Sequence, residues 1–383
     1  MNESAPTGRP RDESPTLSFA SGGWVILLAA ILSLMLLAWG LAGLVFGDRP
    51  IGNGRDIETY GFSLENVDVP LETLAVSGNP RDFLKTYRYP RSIPGADVLV
   101  YNEQIRGRWL VSADRVIGVV IDGEARAYPV RCLNAHEIVE DTLAGLPIVV
   151  TYSPFADAAV VLRNDPGAEP TEFGVSGLLC NSSLLMYDRN TPDPSLWSPV
   201  MGEVIAGPLE GRTLEEIPDV TICSWRSWLE AHPKTTVILP DQETTRRYKE
   251  FSYLRYFNDI SDSLEYPVDP IPPTSRRDAT VPRLKARVIA VTVNGVRRIW
   301  PLTLLVEALE AKSGRISVVQ AGVPIDFELT ELPQAAMVTA PSGVELRTQP
   351  RLWFAWYCAH PLTAESELVR SLPEDAVVEP LGE

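Results

Sequence analysis

One pattern occurs twice in the chain. VIGVVIDGEARAYP spans Val116–Pro129 and VIAVTVNGVRRIWP spans Val288–Pro301, with six of fourteen positions identical. Each copy is an apolar run, then Asp-Gly or Asn-Gly, then a second run that closes on an aromatic residue and proline. Asp122-Gly123 and Asn294-Gly295 suit a type I′ turn, whose two central residues need positive φ. Both copies are therefore predicted β-hairpins. A helical pattern follows each, NAHEIVEDTLAG in the first and LTLLVEALEAKSG in the second. A further strand then follows, LPIVVTY or ISVVQAG. Two hairpin-helix-strand units predict an α+β class built from two related β-rich halves. Their spacing of about 172 residues is too long for a solenoid repeat.

A second feature concerns where such a chain sits. WVILLAAILSLMLLAWGLAGLVF, Trp24 to Phe46, is 23 residues long and carries no charge. A hydrocarbon core about 30 Å thick takes roughly 20 apolar residues in a helix. The apolar stretch of a cleaved signal peptide is shorter, about 7–15 residues. The segment is predicted to be an uncleaved transmembrane signal-anchor, with membrane lipid as its partner. Arg9 and Arg11 precede it and Arg49 and Arg55 follow, so flanking charge scarcely sets the orientation. A short polar N-terminus, one anchor and a long following region place the folded part on the extracytoplasmic side. The expected organisation is a disordered tail over 1–23, the anchor over 24–46 and a stalk over 47–95. The two halves follow over 96–270 and 271–362, and a loose acidic tail over 363–383.

Charge excludes one class of partner. Acidic residues outnumber basic ones 50 to 34, a net charge of −16. Nucleic-acid binding needs clustered Lys and Arg to neutralise phosphates, so no nucleic-acid partner is expected. Four cysteines, Cys132, Cys180, Cys223 and Cys358, include no C-x-x-C pair. They suit either disulfides in an oxidising compartment or buried thiols. G-x-x-x-x-G-K, G-x-G-x-x-G and G-x-S-x-G are all missing, which removes phosphate-loop, dinucleotide and serine-hydrolase readings. No motif names a cofactor.

The stretch after the first hairpin is the candidate for chemistry. Asn134 and Glu137 have the spacing of a capping box, with Ala135, Ile138, Val139 and Leu143 as the apolar face and Gly145 as the stop. That reading employs every residue there except His136. His136 and Glu140 are four apart and share a helix face, and His is both a common metal ligand and an acid–base group near neutral pH. The pattern is not H-E-x-x-H, and the chain has only three His, so a zinc-protease site is excluded. Farther on, MYDRNTPDPSLWS offers Tyr187, Asp188 and Trp197 as the lining of a pocket for a small polar ligand. Its structural reading makes Asp188 a turn residue and Trp197 core, as Trp225, Trp228, Trp353 and Trp356 are expected to be.

These stretches, with GLPIVVTYSPFADAAVV, FGVSGLLCNSSLLMYDRN, SWRSWLEAHPKTTVI and LWFAWYCAHP, resemble the bacterial domain-of-unknown-function 3179 (DUF3179) family over about residues 95–362. The resemblance implies an extracytoplasmic or membrane-linked protein and no settled activity. Members of that family carry Cys-Pro-Leu-Cys where this chain has Ser153-Pro154-Phe155-Ala156. Two such thiols hold a metal or form a disulfide, and Ser and Ala do neither. A metal site in this chain would then draw on His136 with Asp157 and Cys180. The expected function is small-ligand binding at a site drawn from His136, Glu137, Tyr187, Asp188 and Trp197. The alternatives are a metal- or redox-linked enzyme using His136 and Glu137, and a structural subunit joined to an envelope protein partner.

Overall fold

The computed structural model describes residues 23–46, 50–105, 108–165, 170–218, 220–241, 248, 253–259, 261–274, 280–309, 313–330, 335–361 and 363–380, with the side chains of the first helix given as far as Trp39. The tail expected to be disordered lies outside the described residues. The chain divides into two compact units, 1–50 and 51–383. Among its described residues the first contains one helix, α1 (Gly23–Phe46). Its side chains from Trp24 to Trp39 are exposed and, Ser33 apart, apolar, Trp39 at 79%. Among the described residues no helix is long and apolar enough to cross a membrane.

The second unit is mixed α+β with β-sheet dominant. It opens with β1 (Leu74–Val76), β2 (Tyr87–Arg88), β3 (Ser92–Pro94) and α2 (Val98–Gln104). Residues 51–95 are therefore not a stalk. Tyr60 and Leu84 are fully buried there, and all three short strands pair with strands from the body of the fold. Short strands without a clear period hid this from the sequence.

The first copy of the repeat follows: β4 (Arg115–Ile121), β5 (Glu124–Pro129), α3 (Val130–His136), β6 (Ile138–Leu143), β7 (Leu146–Ser153) and β8 (Ala158–Arg163). An insertion supplies β9 (Phe173–Cys180), β10 (Ser183–Asp188), β11 (Leu196–Ser198) and β12 (Glu203–Ala206). β13 (Thr221–Ser224), α4 (Trp225–Ala231), β14 (Thr236–Ile238) and α5 (Leu254–Phe257) come next. The second copy is β15 (Arg287–Val293), β16 (Val296–Pro301), α6 (Leu302–Leu309), β17 (Ser313–Gln320), β18 (Val323–Thr330) and β19 (Ala335–Thr339). It ends with β20 (Leu346–Leu352) and α7 (Trp353–Ala359). The acidic tail then forms α8 (Ala364–Glu367) and β21 (Val377–Pro380). β21 pairs with β17 and Leu368 is buried, so 363–380 is part of the fold rather than loose.

The hairpins have the predicted turns. Asp122 and Gly123 lie at φ 48° and 82°, Asn294 and Gly295 at 48° and 76°. The pairings match as well: Val116 faces Pro129 and Val288 faces Pro301. Each hairpin gains a third strand on the same side, β13 on β4 and β20 on β15. Each of those strands runs into a Trp-x-x-Trp helix ending at a His, with Trp228 against His232 and Trp356 against His360 (ring centroids 4.1 and 4.4 Å apart). Gly118 is a glycine because a Cβ there would lie 2.2 Å from the Trp228 ring.

The helix expected over NAHEIVEDTLAG is mostly a strand. α3 starts earlier, at Val130 just after Pro129, and ends at His136, where Glu137 at φ 57° and ψ −30° breaks it. Asn134 therefore lies inside the helix and caps nothing. β6 then makes a hairpin with β7 through Ala144-Gly145 (φ 51° and 77°), so Gly145 is a turn residue and not a helix stop. Glu140 and Asp141 look like a helix's polar face, yet both are buried and paired. Arg88 lies 3.1 Å from Glu140, and Arg126 lies 2.7 Å from Asp141.

Candidate functional site

The reversal between α3 and β6 turns two adjacent residues in different directions. His136 enters the main core and is 1% exposed. Its Nδ1 lies 2.7 Å from the Lys85 carbonyl oxygen, which only accepts, so Nδ1 carries the proton and donates. Nε2 must then accept, and the Tyr248 hydroxyl donates to it at 3.0 Å. The Tyr248 oxygen accepts in turn from the Asp241 N–H at 2.9 Å, with the Cys132 Sγ at 3.8 Å. The Tyr87 ring stacks on the imidazole at 5.0 Å. Burial lowers the His136 pKa, the Lys85 carbonyl partly opposing. This is a neutral, doubly bonded core histidine.

Glu137 lines a cavity of about 350 Å³. Its peptide is held on both sides, its N–H donating to the Leu133 carbonyl (2.7 Å) and its carbonyl accepting from the Tyr152 N–H (2.9 Å). Its carboxyl, on a residue 6% exposed, has no hydrogen-bond or ion-pair partner among the described residues. Burial alone pushes its pKa up to about 8. A buried acid without a partner ordinarily costs several kcal/mol or stays neutral. A backbone at positive φ for a non-glycine residue costs of order 1–3 kcal/mol, and such positions cluster at functional sites. Both departures coincide at one residue, in the lining of one cavity.

The rest of the lining comes from distant segments. Ser77 and Asn79 follow β1; the Ser77 Oγ is buried without a hydrogen-bond partner among the described residues. Asn79 donates from Nδ2 to the Ser77 carbonyl (3.1 Å). Phe155, Tyr253 and Tyr266 form an aromatic wall, with Phe155 edge-on to both tyrosines at 5.3 and 5.0 Å. The apolar wall opposite is β9, with Leu184 of β10. β9 bulges where its register with β10 shifts between Leu184 and Met186, and Gly177 (φ 78°) sits in the bulge. Gly177 also lets the 77–80 segment approach, since a Cβ there would lie 2.7 Å from the Asn79 carbonyl oxygen.

Of Ser153, Phe155 and Ala156, only Phe155 opens onto the cavity. The Ser153 hydroxyl accepts from the Leu184 N–H (3.0 Å), and the Ala156 carbonyl accepts from the Leu352 N–H (2.8 Å).

The remaining expected site residues lie elsewhere and have structural partners. Asp188 accepts from the Ser195 N–H (2.8 Å), the Trp197 indole (3.0 Å) and the Thr191 hydroxyl (2.7 Å). Trp197 is core, edge-on to Phe173. The Tyr187 hydroxyl donates to Asp82 (2.6 Å), which also receives Arg189 (2.5 Å). Asp157 is gripped by Arg115 (2.9 Å), Arg287 (2.5 Å) and the Tyr152 hydroxyl (2.6 Å). Burial works to raise its pKa, and the two guanidiniums outweigh that and lower it. Cys180 is a free buried thiol 3.5 Å from the Thr73 hydroxyl, and burial raises its pKa. His136, Asp157 and Cys180 thus have separate partners. Among the described residues no three His, Cys, Asp or Glu side chains assemble into a group that could hold a metal ion. All four cysteines are free.

Ser77, Asn79, Tyr253 and Tyr266 were missed from the sequence. They carry no motif, and only the β9 bulge and the chain reversals bring them to Glu137.

The fold thus defines a β-rich α+β protein with a partly aromatic cavity lined by an acid that has no partner among the described residues. A family described as a protein of unknown function, DUF3179, matches residues 92–363, most of the chain, and the chain belongs to that family. No curated protein and no solved structure matches it.

Proposed function

We propose that this is a membrane-anchored protein that binds a small ligand in the cavity at Glu137. The observation that carries the reading is Glu137 itself, a buried carboxyl without a partner among the described residues, held on strained backbone at a cavity of about 350 Å³. That volume lies at the small end of the ligand-site range, roughly 300–1,000 Å³. Mostly apolar walls with a few convergent polar groups are the usual composition of such sites. The site moves away from Tyr187, Asp188 and Trp197, whose polar atoms are already satisfied. A fragment set screened by thermal shift on the full chain tests this. Ligands of the cavity stabilise the wild type and lose that effect in Leu178→Trp, which fills the cavity; hits that survive the substitution refute the reading.

A carboxyl that titrates near neutral pH also favours a second reading, in which Glu137 acts as a general acid or base. It differs by requiring turnover: a bound fragment would be recovered chemically altered from the wild type and unaltered from Glu137→Gln.

The anchor is part of the proposal. It rests on the sequence, in which the uncharged apolar stretch from Trp24 to Phe46 has about the length a bilayer core takes. With its N-terminus inside, the cavity would face the extracytoplasmic side. Full-length protein is expected to resist alkaline extraction from membranes and to be digested by protease added outside spheroplasts. Release at alkaline pH refutes the anchor, and protection from that protease refutes the orientation.

A further inference from the structure

The cavity's lining has a one-sided chemistry. Its side-chain polar groups are the Glu137 carboxyl, the Ser77 Oγ, without a partner among the described residues, the Asn79 amide, whose Nδ2 is engaged by the Ser77 carbonyl, and the Tyr253 and Tyr266 hydroxyls, of which that of Tyr266 donates to the Ser77 carbonyl (3.4 Å). No Lys, Arg or His is among the described residues that line it. The other walls are Phe155, Tyr253 and Tyr266 and the aliphatic face of β9. An anionic ligand would force Glu137 to stay protonated, with no cation among the described lining residues to offset its charge. A neutral apolar ligand would leave a carboxyl and a hydroxyl buried without partners, which costs about 1–3 kcal/mol for each group. A cation with several N–H donors and an apolar body can donate to the Glu137, Ser77 and Asn79 side chains, and ring faces attract such cations within about 6 Å. The net charge of −16 favours the approach of the same class of ligand.

We propose that the ligand of this cavity is a small organic amine, bound as its ammonium ion. The ammonium donates to the Glu137 carboxylate, the Ser77 hydroxyl oxygen and the Asn79 Oδ1, and its hydrocarbon part lies among Phe155, Tyr253 and Tyr266. The inference rests on the reading of the cavity as a ligand site and specifies what that site selects. Binding changes the state of Glu137. The empty site holds a neutral carboxyl below about pH 8, whereas the complex holds the carboxylate, so binding at neutral pH releases a proton.

Titration calorimetry on the full chain in detergent micelles tests this with three matched probes: phenethylamine, 2-phenylethanol and 3-phenylpropanoate. An alkylammonium stays protonated to roughly pH 10. Amine affinity is therefore expected to rise about tenfold per pH unit from pH 6 towards 8 and then level. The heat should depend on the buffer's ionisation enthalpy, as uptake of the released proton requires. At pH 8 the amine should bind at least tenfold tighter than the alcohol, and the propanoate should not bind. Glu137→Gln should abolish the amine's advantage and its pH dependence while still binding the alcohol. These wild-type pH and buffer effects need no variant, so a poorly folding Glu137→Gln would not leave the idea untested. If the alcohol binds as well as the amine, with no proton release, the amine assignment is overturned and the ligand cavity stands. If none of the probes binds at millimolar concentration, both are overturned.

Discussion

His136 and Glu137 are neighbours in sequence with opposite fates, and each leaves a measurable signature. Glu137 is protonated in the folded state up to about pH 8, whereas an unfolded chain ionises it in the usual carboxylate range near pH 4. Its stabilising share is therefore fully present at acid pH and is lost as pH rises through 8. Glu137→Gln keeps the shape and removes the titration. Relative to that variant, the wild type is expected to lose up to about 1.4 kcal/mol per pH unit between pH 5 and 8. Denaturant unfolding of both proteins at pH 5, 6.5 and 8 measures this; parallel pH profiles would show that Glu137 has a partner. For His136 the expectation is structural. His136→Ala removes the donor to the Lys85 carbonyl and the acceptor of the Tyr248 O–H, leaves a cavity in the core and should cost about 2–4 kcal/mol. Amine or fragment affinity at the cavity should change less than twofold, and an affinity loss of tenfold or more in the folded variant would return His136 to the site.

At the scale of elements, the hairpins were legible because their turns are chemically explicit. Only Asp-Gly and Asn-Gly at those points make sense of two flanking apolar runs, and both turns have positive φ at both residues. The segment from Asn134 to Gly145 was not legible, for two reasons. Its strand is buried on both faces, so buried acids paired to Arg88 and Arg126 took the place of an alternating polar face. Its turn is Ala-Gly, a far weaker signal than Asn-Gly, and the break at Glu137 uses a residue that seldom adopts positive φ. The candidate site depends on that break, so the same features hid both. One consequence separates the two accounts of this segment. A capping Asn replaced by Ala costs about 1 kcal/mol, whereas Asn134 sits inside α3, where Ala is the better helix former. Asn134→Ala is therefore expected to leave stability unchanged to within about 0.5 kcal/mol. A loss of 1 kcal/mol or more in urea unfolding would restore the capping box.

At the scale of the whole folded unit, the two copies are coupled rather than adjacent. β20 of the second lies against β8 of the first, and β13 of the first lies against β19 of the second. Among the bonds that tie these layers are the Thr348 hydroxyl to the Val220 carbonyl (2.9 Å), the Gln349 amide to Glu216 (2.8 and 2.9 Å) and the Leu352 N–H to the Ala156 carbonyl (2.8 Å). Asp157 sits at the centre. Arg115 and Arg287 are equivalent positions in the repeat, facing Ser224 and Leu352 in matching registers, and both reach this one carboxylate. The duplication supplied two cations, and a single acid from the turn after β7 serves both. Removing a buried, paired charge leaves its partners uncompensated and costs about 3–5 kcal/mol. Asp157→Asn keeps the shape and the tolerance for positive φ, so at pH 7 it should lose about that much. The sign of the pH effect is opposite to that of Glu137. The folded pKa of Asp157 is lowered, so its contribution is present above the unfolded value near 4 and is lost as pH falls through the folded value. The gap between wild type and Asp157→Asn should therefore be widest at neutral pH and narrow below about pH 3. Both proteins should unfold in one transition reported alike by Trp228 and Trp356, one in each copy. A variant in which the two tryptophans report separate midpoints would show that Asp157 joins two halves able to fold alone; an unchanged midpoint at pH 7 would remove the clamp altogether.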